Sequence, residues 1–145
     1  MMVDLFFRVP GIPVPQGSKR AFGGRVVEAN KNLRPWRGQV TASAVDAITT
    51  TGWGITGRPV HVDLRFEMPR PKAHYRTGAA SGEVKPSAPL AHIRKPDLDK
   101  LVRAVLDGLT DAGVWVDDSQ VAHLTCEKYY GNAPGVMVSV EELEE

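Results

Sequence analysis

Cysteine is almost absent. Cys126 stands alone, which excludes an internal disulfide and any cysteine-rich zinc cluster and fits a reducing compartment. No apolar run approaches the ~18 residues of a membrane-spanning helix. The opening Met-Met-Val-Asp-Leu-Phe-Phe has no basic stretch before its apolar residues, and Asp4 interrupts them, so it does not read as a secretory signal. The expectation is a soluble, cytoplasmic protein with no membrane partner. The four histidines, His61, His74, His92 and His123, show no metal-ligand spacing and are assigned no role. Internal repeats are missing too. Net charge is nearly missing, with 18 Lys and Arg against 17 Asp and Glu and a formal value of +1. Taken as a total, that argues against a nucleic-acid binder, whose domain pI is typically above about 9.

The distribution says otherwise. Residues 1–96 carry 15 basic and 6 acidic side chains, a net of +9, and residues 97–145 carry 3 and 11, a net of −8. Opposed halves point to polyanion binding or to an acidic site. The chain has 145 residues, 42% of them hydrophobic and 24% charged, a size at which a single domain buries roughly 70% of its unfolded surface without staples.

Periodicity gives the elements. Val3 to Val9 is short, aromatic and β-branched, and Pro10-Gly11 ends it, so a first strand is expected. Pro10 to Gly24 reads as a loop. Asn32 to about Thr50 reads as a helix, with Trp36, Val40, Ala44, Ala47 and Ile48 at helical spacing and Pro35 tolerated in the first turn. Val60 to Met68 alternates apolar and polar residues, as in a half-buried strand. Pro69 to Ile93 has little apolar periodicity. Loops this long are usually functional or mobile, and a disordered insertion is the plain alternative. From Asp97 to Asp111, Leu98, Leu101, Val102, Val105, Leu106 and Leu109 form one helical face, and Gly113 stops it. Val121 to Tyr130 and Val136 to Val140 read as strands. Glu141, Glu142, Glu144 and Glu145 are expected in a mobile tail. Trp36, Trp53 and Trp115 are expected to pack the core, although the Gly-rich surroundings of Trp53 also suit exposure. The order β, α, β, α, β, β predicts a mixed α+β (α/β) fold: a single small domain with a mixed β-sheet and two main helices.

Chemistry concentrates in Arg94-Lys-Pro-Asp-Leu-Asp-Lys-Leu-Val-Arg103, then Asp107, then Asp117-Asp118. Pro96 favours an extended Lys95, so Asp97 falls where a loop enters a helix. Asp97 and Asp99 then share the first turn, where they repel unless a cation neutralises them. Hard divalent cations take oxygen ligands, and Mg²⁺ typically uses one or two carboxylates with water and substrate phosphates. A carboxylate from Asp117-Asp118 can return to the same place if the next strand packs beside the helix. The structural alternatives are ordinary: Asp97 as an N-cap, Asp99 as a first-turn acid, Asp117-Asp118 as a polar turn. An EF-hand does not fit, because Leu101-Val102 continues the helix.

Lys95-Pro-Asp-Leu-Asp-Lys-Leu-Val-Arg103, Leu106-Asp-Gly-Leu109 and Gly113-Val-Trp-Val-Asp-Asp-Ser-Gln-Val121 together resemble the RusA family of Holliday-junction resolvases. Its pattern is K-P-D-x-D-N-L-x-K, then D-A-L, then D-D-x-Q-[VI]. The match is good over 94–121, and Pro13-Val-Pro-Gln-Gly-Ser-Lys-Arg20 resembles more loosely the basic loop after the family's first strand. The resemblance implies one RusA-like domain over 1–145, a homodimer, and an endonuclease dependent on Mg²⁺ (or Mn²⁺) that nicks branched, four-way DNA symmetrically. It implies Asp97, Asp99 and Asp118 as catalytic metal-binding acids, with Asp117 as a further metal candidate. Two residues depart from the pattern: Lys100 stands where the family has Asn, and Arg103 where it has a functional Lys. Arginine stays protonated, so Arg103 can hold a phosphate or stabilise charge but cannot act as a base. The bland role for Arg103 is an i,i+4 salt bridge to Asp107. Lys19, Arg20, Arg25, Arg70, Lys72, Arg76, Arg94, Lys95 and Lys100 are candidate DNA-backbone contacts. Two other functions stay open: a catalytically idle DNA-binding module with the same fold, and a metal-dependent phosphohydrolase acting on nucleotides.

Overall fold

A computed structural model describes residues 4–17, 19–22, 25–28 and 30–144, the two short stretches by their backbone. The expected single small domain with a mixed sheet and two helices is what the chain forms. Strands β1 (Leu5–Pro10), β2 (Lys19–Phe22) and β3 (Arg25–Glu28) precede helix α1 (Leu33–Thr51). Strand β4 (Val60–Pro69), helix α2 (Leu98–Asp111), β5 (Val121–Gly131) and β6 (Gly135–Glu142) follow. The main sheet runs β1-β6-β4-β5, and β2 and β3 pair as a separate antiparallel hairpin. Among the described strands only β4 and β5 pair in parallel; β6 is antiparallel to both of its neighbours. A parallel pair needs a crossover, and here it contains the 70–93 segment and α2.

The period-two alternation of β4 becomes rows across the sheet. Val62 lies between Val140 and Leu124, with Leu5 beyond Val140. Leu64 lies between Val138 and Cys126, with Phe7 beyond. Val9, Val136, Phe66 and Lys128 form the third row. The residues of β1, β4 and β6 in these rows are buried, except for a partly buried Phe7 packed against the core. Helices α1 and α2 pack against each other, α1 against β1 and α2 against β5. The buried side of α2 is Leu101, Val102, Ala104, Val105, Gly108 and Leu109, close to the face read from spacing. At the crossing, a Cβ on Gly108 would meet Val40 Cγ1 at 2.8 Å, so only glycine permits this approach. Thr41 Oγ1 donates to Gly108 O at 2.9 Å across it.

Several expectations need correction. The segment from Pro10 to Gly24 is not all loop, since β2 begins at Lys19 and pairs with β3. Val3 lies outside the described residues. The 69–93 stretch is ordered: short 3₁₀ turns cover Lys72–His74 and Gly78–Ala80, and bridges join Tyr75 to Val84 and Ala91 to Tyr129. Its folding rests on polar and ring contacts that leave no apolar period to read. Trp53, by contrast, packs the core as expected, buried and donating from Nε1 to Val114 O at 2.9 Å. Glu141 and Glu142 belong to β6, where Glu141 lies 3.0 Å from His61 and Glu142 3.6 Å from Arg58. Glu145 lies outside the described residues.

Candidate active site

Lysine at the edge of an apolar row starts the site. Lys128 sits on the helix-facing side of β5, level with Phe66, where its aliphatic stem can stay dry while its head seeks polar partners. Its Nζ donates to Arg94 O at 2.6 Å and Pro96 O at 2.7 Å. That pair of bonds straps the 94–96 backbone, which contains the cis Lys95–Pro96 peptide, onto the sheet. The chain leaves the strap directly into α2.

Asp97 takes the N-cap position with an extended backbone, φ −69° and ψ 141°, but its side chain makes no capping hydrogen bond. Instead its Oδ2 lies 3.8 Å from Lys100 Nζ. The capping role open to Asp97 from sequence is therefore not taken up, and its carboxylate stays exposed. Asp99 is exposed in the first turn, with Arg103 and Asp107 above it at i+4 and i+8, on one side of the helix. No ion pair joins Arg103 to Asp107 among the described residues. The Arg103 charge still reaches Asp107, as does that of Arg37 on α1.

Asp117 and Asp118 separate sharply. Asp117 Oδ2 accepts from Ser119 N at 2.9 Å, and the Ser119 hydroxyl first, then that backbone N–H, hold its carboxyl below the usual range. Gln120 Oε1 accepts from Val116 N and Asp117 N, and Gln120 Nε2 donates to Thr56 O and Arg58 O, each at 2.9 Å. The Asp-Asp-Ser-Gln motif is thus a clamped turn: Asp117 caps it, Gln120 ties it to the α1–β4 connection, and Asp118 is carried exposed on its first residue. Asp118 faces Asp107 electrostatically. Burial first, then the opposing pull of Arg37, then the Asp118 and Asp111 charges act on Asp107, with a net push upward on its pKa. Asp107 therefore belongs to the same field as Asp118. From the sequence it reads only as a salt-bridge partner, although its i+8 spacing from Asp99 carries the signal.

The cations divide as well. Arg70 is half-buried: Nη1 donates to Pro89 O at 3.0 Å and the guanidinium lies 5.5 Å from the Tyr130 ring centre. Arg76 pairs with Glu83 at 3.7 Å. Lys72, Arg94, Lys95, Lys100 and Arg103 are exposed. Lys19, Arg20 and Arg25 lie on the β2–β3 hairpin, but their side chains fall outside what the structure describes. A cavity of about 620 Å³ opens beside Asp97, with Lys95 and Lys100 also in its wall. Gln16 N donates to Lys100 O at 3.0 Å, so the Pro-rich 12–17 loop forms the opposite side. Among the described residues no three acids, histidines or cysteines are gathered closely enough to hold a metal ion. Nor does any helix there have the length and apolarity to cross a membrane.

The chain is a small α+β domain with Asp97 and Asp99 exposed at a helix start, and Asp97 lies in the wall of a cleft that also carries Lys95 and Lys100. Its family is shown directly: the model for the endodeoxyribonuclease RusA family matches residues 10–141, and the chain belongs to that family. It is also similar to the uncharacterized protein YqaN of Bacillus subtilis (strain 168), with 30% identity over 94% of this chain and 95% of that protein.

Proposed function

We propose that the protein is a divalent-metal-dependent endonuclease that resolves four-way DNA junctions by paired, symmetric nicks. The observation that carries this reading is the strapped entry to α2, which leaves Asp97 and Asp99 exposed, with the Asp97 side chain free of any capping bond and set in the wall of a cleft that also carries Lys95 and Lys100. Their oxygen donors suit Mg²⁺, or Mn²⁺, and Mg²⁺ typically takes one or two protein carboxylates and completes its shell with water and substrate phosphate. Asp97, Asp99 and Asp118 are the acids assigned to metal, and Asp117 is assigned to the turn. A bound divalent ion supplies Lewis-acid charge at the scissile phosphodiester. Arg103, always protonated, holds a phosphate oxygen. Lys95 and Lys100 fix the strand near the cleft, and Lys72 and Arg94 extend the cationic surface. A junction is two-fold symmetric, so a C2 homodimer would deliver two equivalent nicks.

The test is a synthetic four-way junction with Mg²⁺, run beside a linear duplex and Asp99→Asn. Junction-selective nicking that the variant lacks is the expected result. No cleavage by the wild type, or equal cleavage by the variant, sinks the mechanism.

One observation favours a second reading. Lys100 already sits 3.8 Å from Asp97, and an ammonium there competes with a metal for the carboxylate. If that competition is complete, the protein is a DNA-binding module without nuclease activity, and it binds junctions without nicking them. If it is partial, Lys100→Asn lowers the Mg²⁺ concentration needed for half-maximal nicking. A metal titration of the two proteins decides.

A further inference from the structure

The cleft beside Asp97 has more construction than phosphate binding requires. At about 620 Å³ it lies within the roughly 300–1,000 Å³ usual for small-ligand sites. Pro13, Val14, Pro15 and Pro69 give it apolar walls with little rotamer freedom, and Met68 adds an adaptable one. His92 also lines it, 8% exposed, and its Nδ1 is buried with no hydrogen-bond partner among the described residues. A buried polar atom left unpaired is costly and uncommon. The ring does not wander: it packs on Tyr130 with centres 4.9 Å apart, and Tyr130 is in turn held by His74 at 4.7 Å and by Arg70. Burial and the Lys128 charge lower the His92 pKa, so the imidazole is neutral near pH 7 and offers one donor and one acceptor nitrogen. The cations Lys95 and Lys100 stand in the same wall.

Apolar walls, a fixed neutral imidazole on the wall and cations alongside match one nucleotide with its base turned inward and its phosphates held outside. We propose that this cavity takes an unstacked nucleobase of the bound DNA strand and that His92 reads the edge of that base, making it a specificity-determining residue. The inference rests on the DNA-binding part of the proposed function, because it requires DNA at Asp97. At a junction the cost of unstacking is already reduced, since bases at the exchange point lack continuous stacking on both sides. The base next to the cut would thereby be selected by hydrogen bonding, which discriminates far better than apolar shape alone.

The experiment places 2-aminopurine, one position at a time, within two nucleotides of the exchange point of a four-way junction, and saturates it with protein in EDTA. Aliphatic walls do not quench this probe, so wild-type protein is expected to raise its fluorescence several-fold at one position. His92→Ala removes the hydrogen-bonding group. Gly17→Phe fills the cavity from a position whose Cβ meets nothing within 4 Å. Both variants, shown folded by their melting curves, are expected to abolish the rise while still shifting the junction in a gel. No rise at any position with wild type, or a rise that persists in both variants, overturns the inference. Binding with a rise but without Mg²⁺-dependent nicking overturns the nuclease reading and leaves base capture standing. Failure of wild type to bind the junction overturns both.

Discussion

At the scale of single residues, the four acids around α2 differ in what holds them. Asp117 is tied to Ser119 N, whereas the Asp118 side chain makes no hydrogen bond or ion pair among the described residues and acts on Asp107 as a like charge. Asp118→Asn is therefore expected to cut nicking by at least about 100-fold, the size seen when a group stabilising transition-state charge is removed, with little change in melting temperature. Asp117→Ala should do the reverse, lowering the melting temperature and leaving nicking near the wild-type rate. Parallel nicking and melting assays separate the pair. Asp107 titrates the other way from Asp117, because burial and its acidic neighbours raise its pKa. A raised carboxyl pKa means the ionised form is disfavoured in the folded state. Asp107 thus costs stability above its folded pKa and nothing below its unfolded value, 3.8. Asp107→Asn should raise the melting temperature at pH 7, and the gain should vanish below that value; a gain constant with pH would contradict this origin. The two aspartates look alike in sequence. Their difference arises from the burial of Asp107 beside acidic neighbours and from the Ser119 hydrogen bonds to Asp117.

At the scale of elements, α2 is placed by contacts at both ends. Its C-terminal half leans on α1 through Gly108, so Gly108→Ala must push Val40 aside and is expected to cost about 1–3 kcal/mol, the usual range for overpacking, measured by denaturant melts. Its N-terminal end depends on the Lys128 strap. Lys128→Met keeps the stem and removes two charge-assisted hydrogen bonds, each worth about 1.5–3 kcal/mol, and is expected to lower nicking more than stability because Asp97 loses its register. Lys128→Arg should recover part of the loss; equal nicking by wild type and Lys128→Met would show that the strap does not position the site. Helix α2 and strand β4 were legible from period alone, since amphipathic faces follow directly from 3.6 and 2.0 residues per repeat. The β2–β3 hairpin and the ordered 69–93 segment were not. Their folding relies on backbone pairing and on contacts such as Arg70 to Pro89, which leave no periodic trace.

At the scale of the whole molecule, the asymmetric charge predicts salt-sensitive DNA affinity. Removing one cation that touches a phosphate should reduce the slope of log affinity against log salt by about 1. Lys95→Ala is expected to do this. Arg70→Ala is expected to leave the slope unchanged and to lower the melting temperature, because its guanidinium is engaged with Pro89 and Tyr130. Filter binding across a salt series, beside melting curves, tests both. The two opposed charge halves, the amphipathic α2 and the Lys-Pro-Asp-Leu-Asp and Asp-Asp-Ser-Gln motifs were all determined by the sequence alone, because each depends on residues near one another along the chain. Which cation is internal, that Asp107 shares the Asp118 field and that a buried His92 faces a cleft were decided only by tertiary structure. Those properties belong to distances between segments that chain order leaves free and that packing alone sets.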